Sequence, residues 1–375
     1  MDAAPKTTKL NLRSFEYQKD GHCRQQNWDC HVADFIVSVC IPTCNRPKML
    51  EAALASCLRQ PLLPAEILVG DDSQDQKSAA IVNRFSRQPH VEIKYWKHSE
   101  TIGQAANLNW LIDNANSQYL IFLHDDDRLC ADATKTLYEA WLKYPGAQCF
   151  YGKQYLTDYI GNILPDRTDS WNHRYFRTRE FTGRQTSNLS AALSQQIPNN
   201  GFLVTSELAR TTRYRSEKEI GHAVDADFGI RIALAANKHS FVYVDRFVSE
   251  YRLNPDSISQ SLTLNRREDA LYEYIEGLKI PRDDETARTG FLERIAVAAV
   301  LDAARAGRRR SAIRIIFSRH YKEAFLSRWT LYRLVCIISP VIGERVRRLL
   351  TQINPNLAGD RERQWRQFGG GRIKE

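Results

Sequence analysis

The stretch Tyr119 to Leu129, YLIFLHDDDRL, is apolar as far as Leu123 and then turns into three consecutive aspartates, Asp125, Asp126 and Asp127. Five apolar residues bounded by polar ones suit a strand buried on both faces, as in a parallel sheet covered by helices. The acids that follow have two readings. One is a solvated turn, since charges normally sit at the surface. The other is a cation site, because adjacent carboxylates repel one another unless neutralised and hard oxygen ligands suit Mg2+ or Mn2+. The sequence around the run decides between them.

Upstream, the chain alternates. FIVSVCI reads as a strand, and NRPKM opens a helix with Pro47 suited to its first turn. Leu50, Ala53, Leu54, Cys57 and Leu58 then fall on one helical face. AEILVG follows as a strand, DQKSAAIVNRF as a helix, VEIKYW as a strand and GQAANLNWLIDNA as a helix, before the opening stretch itself. This rhythm predicts an α/β fold of Rossmann-like type, a mainly parallel central sheet with helices on both faces. Ligands of such sheets bind beyond the carboxyl ends of the strands. Pro42-Thr43, Asp71-Asp72 and Asp125 to Asp127 each follow a strand directly. They are therefore expected along one rim, which favours the cation site over the turn.

Downstream the pattern loosens. CFYGKQYLTDYIGN suggests a hairpin, and residues 166–190 have little period, as expected of a long lid or binding loop. Order returns at NNGFLVTSELA, at DADFGIRIALAA as a helix and at FVYVDRFVSEYR as a strand. From Asn265 the chain reads as helical. The expected organisation is an N-terminal extension over residues 1–33, a catalytic α/β domain over 34–262 and a basic helical region over 263–375.

Composition places the 375 residues among ordinary globular chains, with 43% hydrophobic and 26% charged residues and a net charge of +9. The N-terminus has no apolar segment behind its charges, and no window reaches the length of a spanning helix, so a cytoplasmic protein is expected. Cys40, Cys57, Cys149 and Cys336 sit in apolar runs and read as buried thiols. His22, Cys23, Cys30 and His31 are four soft ligands, but their spacing matches no short-loop zinc finger. Between residues 301 and 350 the arginines alternate with apolar stripes that include Trp329 and Tyr332. That segment is expected to meet an anionic partner, a membrane headgroup layer at the inner face of the plasma membrane, unless it is simply a packed helical cap with a basic exterior. No nucleic-acid module is recognisable.

Acids holding a divalent cation at a strand end imply a phosphate-bearing substrate. There is no G-x-x-x-x-G-K-[ST] loop and no G-x-G-x-x-G, which argues against a P-loop enzyme or a dinucleotide dehydrogenase. A metal-anchored nucleotide is what remains. Here the residues carry a resemblance. VSVCIPTCNRPKMLEAALASCLRQ, EILVGDDSQD, GQAANLNWLIDNANSQYLIFLHDDD, DADFGIRIALAAN and VDRFVSEYRLNPDSIS occur in the order and spacing of the family 2 glycosyltransferases, nucleotide-sugar enzymes of the GT-A fold. The likeness spans Asp34 to Ser259.

The resemblance implies transfer of a sugar from a nucleotide donor, UDP-type by expectation, to a hydroxyl of a glycan or lipid-linked acceptor in bacterial surface polysaccharide synthesis. It also implies inversion at the anomeric carbon. Thr43 matches the residue that contacts the nucleotide, and Asp72 the aspartate that pairs with the base. Pro42, Asn45, Arg46, Asp71, Asn107 and Asp125 complete the expected donor-facing set. Asp126 and Asp127 match the acids that meet the ribose and the metal-bound diphosphate. His124 stands where the family more often has an aspartate, and it joins Asp126 and Asp127 as an expected metal ligand.

Inversion requires one carboxylate to take the proton from the attacking hydroxyl. The family places it six residues before an arginine. Counting back from Arg231 gives Asp225, with Asp227 second; Val224 stands where a glutamate is usual. Both acids also fit a plainer role, complementing a helix dipole. Asn254 replaces a frequent histidine, and Arg252 is a candidate cationic contact. Trp171 and His173 are expected near the acceptor, although such residues equally form a loop's own small core. Two rivals remain at the level of sequence: a sugar-phosphate nucleotidyltransferase, which would want a glycine-rich basic loop after the first strand, and a GT-A scaffold that binds without catalysis.

Overall fold

A computed structural model describes residues 34–87, 91–221, 223–253, 267–324 and 326–353. His22, Cys23, Cys30, His31 and Asn254 lie outside the described residues. β1 (Val37–Thr43) is buried along its whole length. It pairs in parallel with β2 (Glu66–Asp71) on one side and β4 (Tyr119–Phe122) on the other, and β3 (Glu92–Lys97) extends the parallel array beyond β2. The intervening helices are α1 (Pro47–Leu58), α2 (Lys77–Phe85) and α3 (Gln104–Asn114). Pro47 occupies the first turn of α1, where its missing N–H costs nothing, and Leu50, Ala53, Leu54 and Cys57 are buried on the face the spacing predicted.

After β4 the chain crosses the sheet. β5 (Arg128–Leu129) lies at the far edge, against β9 (Phe241–Arg252), so the acidic run spans the distance between two halves of one sheet. α4 (Ala133–Lys143) leads to β6 (Cys149–Thr157), which runs parallel to β9. Then come α5 (Pro165–Arg174), the short β7 (Gly183–Arg184), α6 (Asn188–Leu193), β8 (Leu203–Thr205), α7 (Ser206–Thr212), α8 (Glu217–Ile220) and α9 (Val224–Ala235). The strand order is β3-β2-β1-β4-β8-β6-β9-β5, with β7 on β9. The parallel half agrees with the alternation read from the sequence. β8 joins the two halves through antiparallel pairs with β4 and β6.

The expectation of a long irregular segment over residues 166–190 is corrected by α5, β7 and α6. α5 escaped the periodicity because its buried positions are polar. Thr168 Oγ1 accepts a hydrogen bond from Leu156 N at 2.9 Å. Asn172 Oδ1 accepts from Gln154 N at 3.1 Å, and its Nδ2 donates to Gln154 O at 2.8 Å. These side chains satisfy the backbone of β6 as another strand would. The expected hairpin at residues 149–162 is reduced to a tight return, in which Ile163 bridges back to Thr157.

Five further helices follow: α10 (Glu268–Gly277), α11 (Glu285–Arg305), α12 (Arg309–Ile316), α13 (Arg328–Ile338) and α14 (Pro340–Ile353). The apolar cluster that begins at the sheet continues through α6 and α9 into α11, α12 and α13 without a break. Trp329 and Tyr332 belong to it, each only 7% exposed. Neither ring can therefore reach a headgroup layer, which corrects that expectation. Arg333 is also fully buried, with Nη1 donating to Glu323 at 2.6 Å and to the Tyr321 hydroxyl at 2.9 Å. Cys40, Cys57, Cys149 and Cys336 are buried free thiols. Among the described residues no helix is long and apolar enough to cross a membrane.

Candidate active site

Parallel register brings the strand ends together. Thr43 lies opposite Asp71 across β1 and β2, while Cys40 lies opposite Phe122 across β1 and β4. Pro42 is buried inside β1 opposite Gly70, one residue short of the rim. Cys44 ties the three loops. Its backbone N–H donates to Asp125 Oδ2 at 3.3 Å, and its thiol lies 3.5 Å from Asp72 O. The acids after β2 and those after β4 therefore share one rim, as the sequence required.

Most of the first set of acids is committed to shaping that rim. Asp71 accepts from Ser73 N at 2.8 Å and from the Tyr95 hydroxyl at 2.7 Å. Asp72 accepts from Ile102 N at 3.2 Å and Gly103 N at 2.9 Å, the amides that lead into α3. Burial pushes its carboxyl up despite those donors. Gly103 is needed there, since its φ of 91° is a conformation side-chain-bearing residues rarely adopt. Asn45, at φ 57°, takes the left-handed conformation that asparagine tolerates best, and its N–H donates to Ser73 Oγ at 2.7 Å. Asn107 is buried behind the rim: Nδ2 donates to Gly70 O at 2.8 Å, and Oδ1 faces His98 Nε2 at 3.1 Å.

In the run after β4 the three aspartates separate in role. Asp125 is held by Thr43 Oγ1 at 2.7 Å and by Arg46 Nη1 at 3.2 Å, and it anchors the β1 loop. Burial and the neighbouring Asp126 push its carboxyl up to about 6. Asp126 is paired with Arg46 Nη1 at 2.8 Å. Asp127 is buried, accepting from Arg252 N at 2.8 Å and from Asn200 Nδ2. Burial raises its carboxyl well above the usual range. His124, Asp126 and Asp127 offer ligand atoms that all lie within 4.8 Å of one another, close enough to share one ion.

Four polar atoms around this cluster are buried with no hydrogen-bond partner among the described residues: His124 Nε2, Asn200 Oδ1, Asp225 Oδ1 and Arg252 Nε. Native interiors leave few such atoms, and each one costs free energy. A divalent cation and the charged group it carries would satisfy both signs of this set, so the residues present fit the ion that the sequence implied.

The two acids of α9 are resolved by geometry. Asp227 is fully buried and clamped by Arg215, whose Nε donates to Oδ2 at 3.0 Å and whose Nη2 pairs with Oδ1, while Arg231 stands 3.6 Å away. An acid so held ties α9 to the loop before α8 and is in no position to accept a proton from substrate. Asp225 remains partly open, with 27% of its side chain exposed and Oδ1 facing His124 Nε2 at 3.9 Å. Burial raises its carboxyl, and His124 and Gln104 oppose that rise.

Trp171 stacks on Tyr251 with ring centroids 5.5 Å apart and meets Tyr175 edge-on at 4.8 Å. His173 is exposed near the end of α5. Sequence reasoning missed Asn199, Asn200 and Gln104. The first two had a signal in NNG, because Gly201 with φ 74° is a turn whose backbone approaches Ser249 and Phe122.

Residues 38–193 match the family model described as Glycosyl transferase family 2. A GalNAc(5)-diNAcBac-PP-undecaprenol beta-1,3-glucosyltransferase of Campylobacter jejuni is 33% identical over 102 residues, covering 27% of this chain and 33% of that enzyme. The chain thus spans only a third of that relative's length. The Escherichia coli UDP-Glc:alpha-D-GlcNAc-diphosphoundecaprenol beta-1,3-glucosyltransferase WfgD is 24% identical over 246 residues, 65% of this chain and 88% of that one. Among solved structures, S. aureus TarS 1-349 in complex with UDP-GlcNAc is similar with a TM-score of 0.56 and 17% identity, over 74% of this chain and 83% of that one. The fold is GT-A.

Proposed function

The chain belongs to the family 2 glycosyltransferases, and from that premise we propose that it transfers a sugar, with inversion, from a UDP-type nucleotide-sugar donor to a hydroxyl of a lipid-linked glycan. The observation that carries the reading is the convergence of His124, Asp126 and Asp127 with the half-open Asp225 on one rim. His124, Asp126 and Asp127 would hold Mg2+ or Mn2+, which when bound stabilises charge on the leaving diphosphate. Thr43 and Asp72 stand at the rim for the nucleotide, and Arg46 keeps Asp125 and Asp126 in place. Asp225 is the proposed general base. Its raised affinity for a proton, caused by burial, suits a group that must take one from a hydroxyl. Trp171, stacked on Tyr251, is the proposed flat apolar face for a sugar ring of the acceptor.

The lipid-linked acceptor is supported by the undecaprenol-linked substrates that the Campylobacter and E. coli relatives are named for and by the surface of the helical region. Ile338, Val341 and Ile342 are exposed where α13 turns into α14, and Leu349 follows on the same helix. Arg309 Nη2 donates to Ile338 O at 2.7 Å, so the exposed start of α12, with Arg309 and Arg310, lies beside this corner, and Arg345 is exposed on α14. Exposed apolar side chains rimmed by arginines suit an anionic lipid surface. This corner, rather than Trp329 and Tyr332, is the proposed contact.

The test is incubation with a panel of nucleotide sugars and Mn2+, read as donor hydrolysis and thermal stabilisation. Stabilisation by UDP-type donors that disappears in Asp127→Ala supports the reading. Turnover of a nucleoside triphosphate with a sugar phosphate would replace it with nucleotidyl transfer, and no response to any nucleotide would leave a non-catalytic scaffold.

A further inference from the structure

His124 faces two parts of the site at once. Nδ1 lies 3.9 Å from Asp127 Oδ2, and Nε2 lies 3.9 Å from Asp225 Oδ1. Its neighbours fix where the ring proton sits. Asn199 Nδ2 is 3.4 Å from His124 Nδ1. The oxygen of that same amide accepts from Asn200 Nδ2 at 3.4 Å, so the nitrogen end is the one turned toward the ring. An amide nitrogen only donates; Nδ1 therefore accepts, and the neutral imidazole carries its proton on Nε2. That N–H has no acceptor among the described residues, and the carboxylate oxygen it faces, Asp225 Oδ1, has no donor.

We infer that His124 is a cation ligand through Nδ1 whose opposite nitrogen orients Asp225, so that filling the metal site and placing the proposed base are coupled through one imidazole. Naming Asp225 as the base rests on the proposed function; the coupling itself does not. A ligating histidine commonly donates its other ring N–H to a carboxylate, which fixes tautomer and ring direction. Here the pieces stand in that order: Asp126 and Asp127, then the ring, then Asp225. Asn199 occupies Nδ1 only weakly at 3.4 Å, and a cation would replace it there. Closing 3.9 Å to a hydrogen bond of about 2.8 Å needs a ring shift of about 1 Å. An aspartate at position 124 could ligate but could not reach Asp225 with a donor, and it would add a third negative charge beside two carboxylates. The imidazole thus performs a task that the more usual residue does not.

The experiment is a double-mutant cycle on Mn2+ affinity, measured by calorimetry on the full chain without donor or acceptor. The four proteins are the native one, Asp225→Asn, His124→Asp and the double variant, each checked for native near-ultraviolet circular dichroism. Asp225→Asn should weaken Mn2+ binding about tenfold, the usual scale for loss of a group behind a ligand. In the His124→Asp background the same change should alter affinity by less than about twofold, since the relay is gone. Asp225→Glu, which keeps the charge but displaces the oxygen, should reproduce the loss. The visible spectrum of bound Co2+ should shift when His124 is replaced by aspartate. An equal factor in both backgrounds would reveal only a distant charge effect and overturn the relay, as would no change in the native background. If Asp225→Asn abolishes sugar transfer yet binds Mn2+ normally, the relay is wrong and the base stands. If it transfers sugar normally but binds Mn2+ weakly, the base is wrong and the relay stands.

Discussion

The two acids at the start of α9 offer the sharpest test, because one helix carries both and the structure gives them opposite duties. Residues two apart on a helix point about 200° from each other. Asp227 accordingly faces inward to Arg215 and Arg231, and Asp225 faces the rim. Replacing Asp227 with asparagine removes the charge that compensates two guanidinium groups. Breaking a fully buried pair from one side costs about 3–5 kcal/mol. Arg215 and Arg231 keep 25% and 23% of their side chains exposed, so water recovers part of that loss and about 2–3 kcal/mol is expected. Urea denaturation followed by tryptophan fluorescence should show the midpoint falling accordingly. The protein that stays folded should keep most of its transfer activity. Asp225→Asn should do the reverse: stability within about 0.5 kcal/mol of native, as for a part-exposed side chain outside an ion pair, and transfer reduced about 100-fold or more. The reasoning fails if Asp227→Asn silences a protein of native stability, or if Asp225→Asn unfolds the chain while its folded fraction still transfers sugar.

Other consequences are open to measurement. Asp125 is pushed from 3.8 up to about 6 by burial and by Asp126, so the folded chain holds a proton there that the unfolded chain has lost. Its contribution is full below pH 3.8 and disappears as pH rises through 6; relative to Asp125→Asn the native protein should lose about 3 kcal/mol over that window, and urea midpoints that diverge the other way would refute it. A Cβ at Gly70 would lie 2.0 Å from Asn107 Oδ1, so Gly70→Ala should cost about 1–3 kcal/mol in the same assay, and a neutral effect would show that Asn107 is not a needed brace. At the α13–α14 corner, changing Arg309, Arg310 and Arg345 to glutamine should remove about 3 kcal/mol of attraction, roughly 100-fold in flotation with anionic vesicles. Equal flotation of both proteins, or none of either, would dismiss the surface.

The parallel half of the sheet was legible because β1, β2 and β4 are short apolar runs, β3 alternates at the edge, and each crossover is a helix with a one-sided apolar face. Leu50, Ala53, Leu54 and Cys57 mark α1 as plainly in the chain as in space. The second half was not, for two reasons. β4 pairs with β8, and β5 with β9, across sequence separations that no local period records. α5 turns inward the side chains that a hydrophobic pattern discards, Thr168 and Asn172, because the surface beneath it is the backbone of β6 and needs hydrogen bonds rather than oil.

The site was legible as a list of acids but not as a division of labour among them. The residue types after β2 and β4 announce negative charge at a strand edge. Which of those charges remain for a ligand depends on partners far away in the chain: Tyr95 and Ser73 for Asp71, the amides before α3 for Asp72, Thr43 for Asp125, Arg215 for Asp227. Once these are assigned, Asp126, Asp127, His124 and Asp225 are left, with Arg46 reaching only the near side of the group. Two buried carboxylates and an orphaned imidazole cannot be the resting end of such a network, since neither charge nor hydrogen bonds balance. A cation would balance the charge, with the His124 N–H turned to Asp225, and the ligand it carried would supply the missing acceptor for Arg252. On the proposed function the unsatisfied atoms follow from what the rim would bind: packing them against one another would stabilise the fold and leave no place for a substrate.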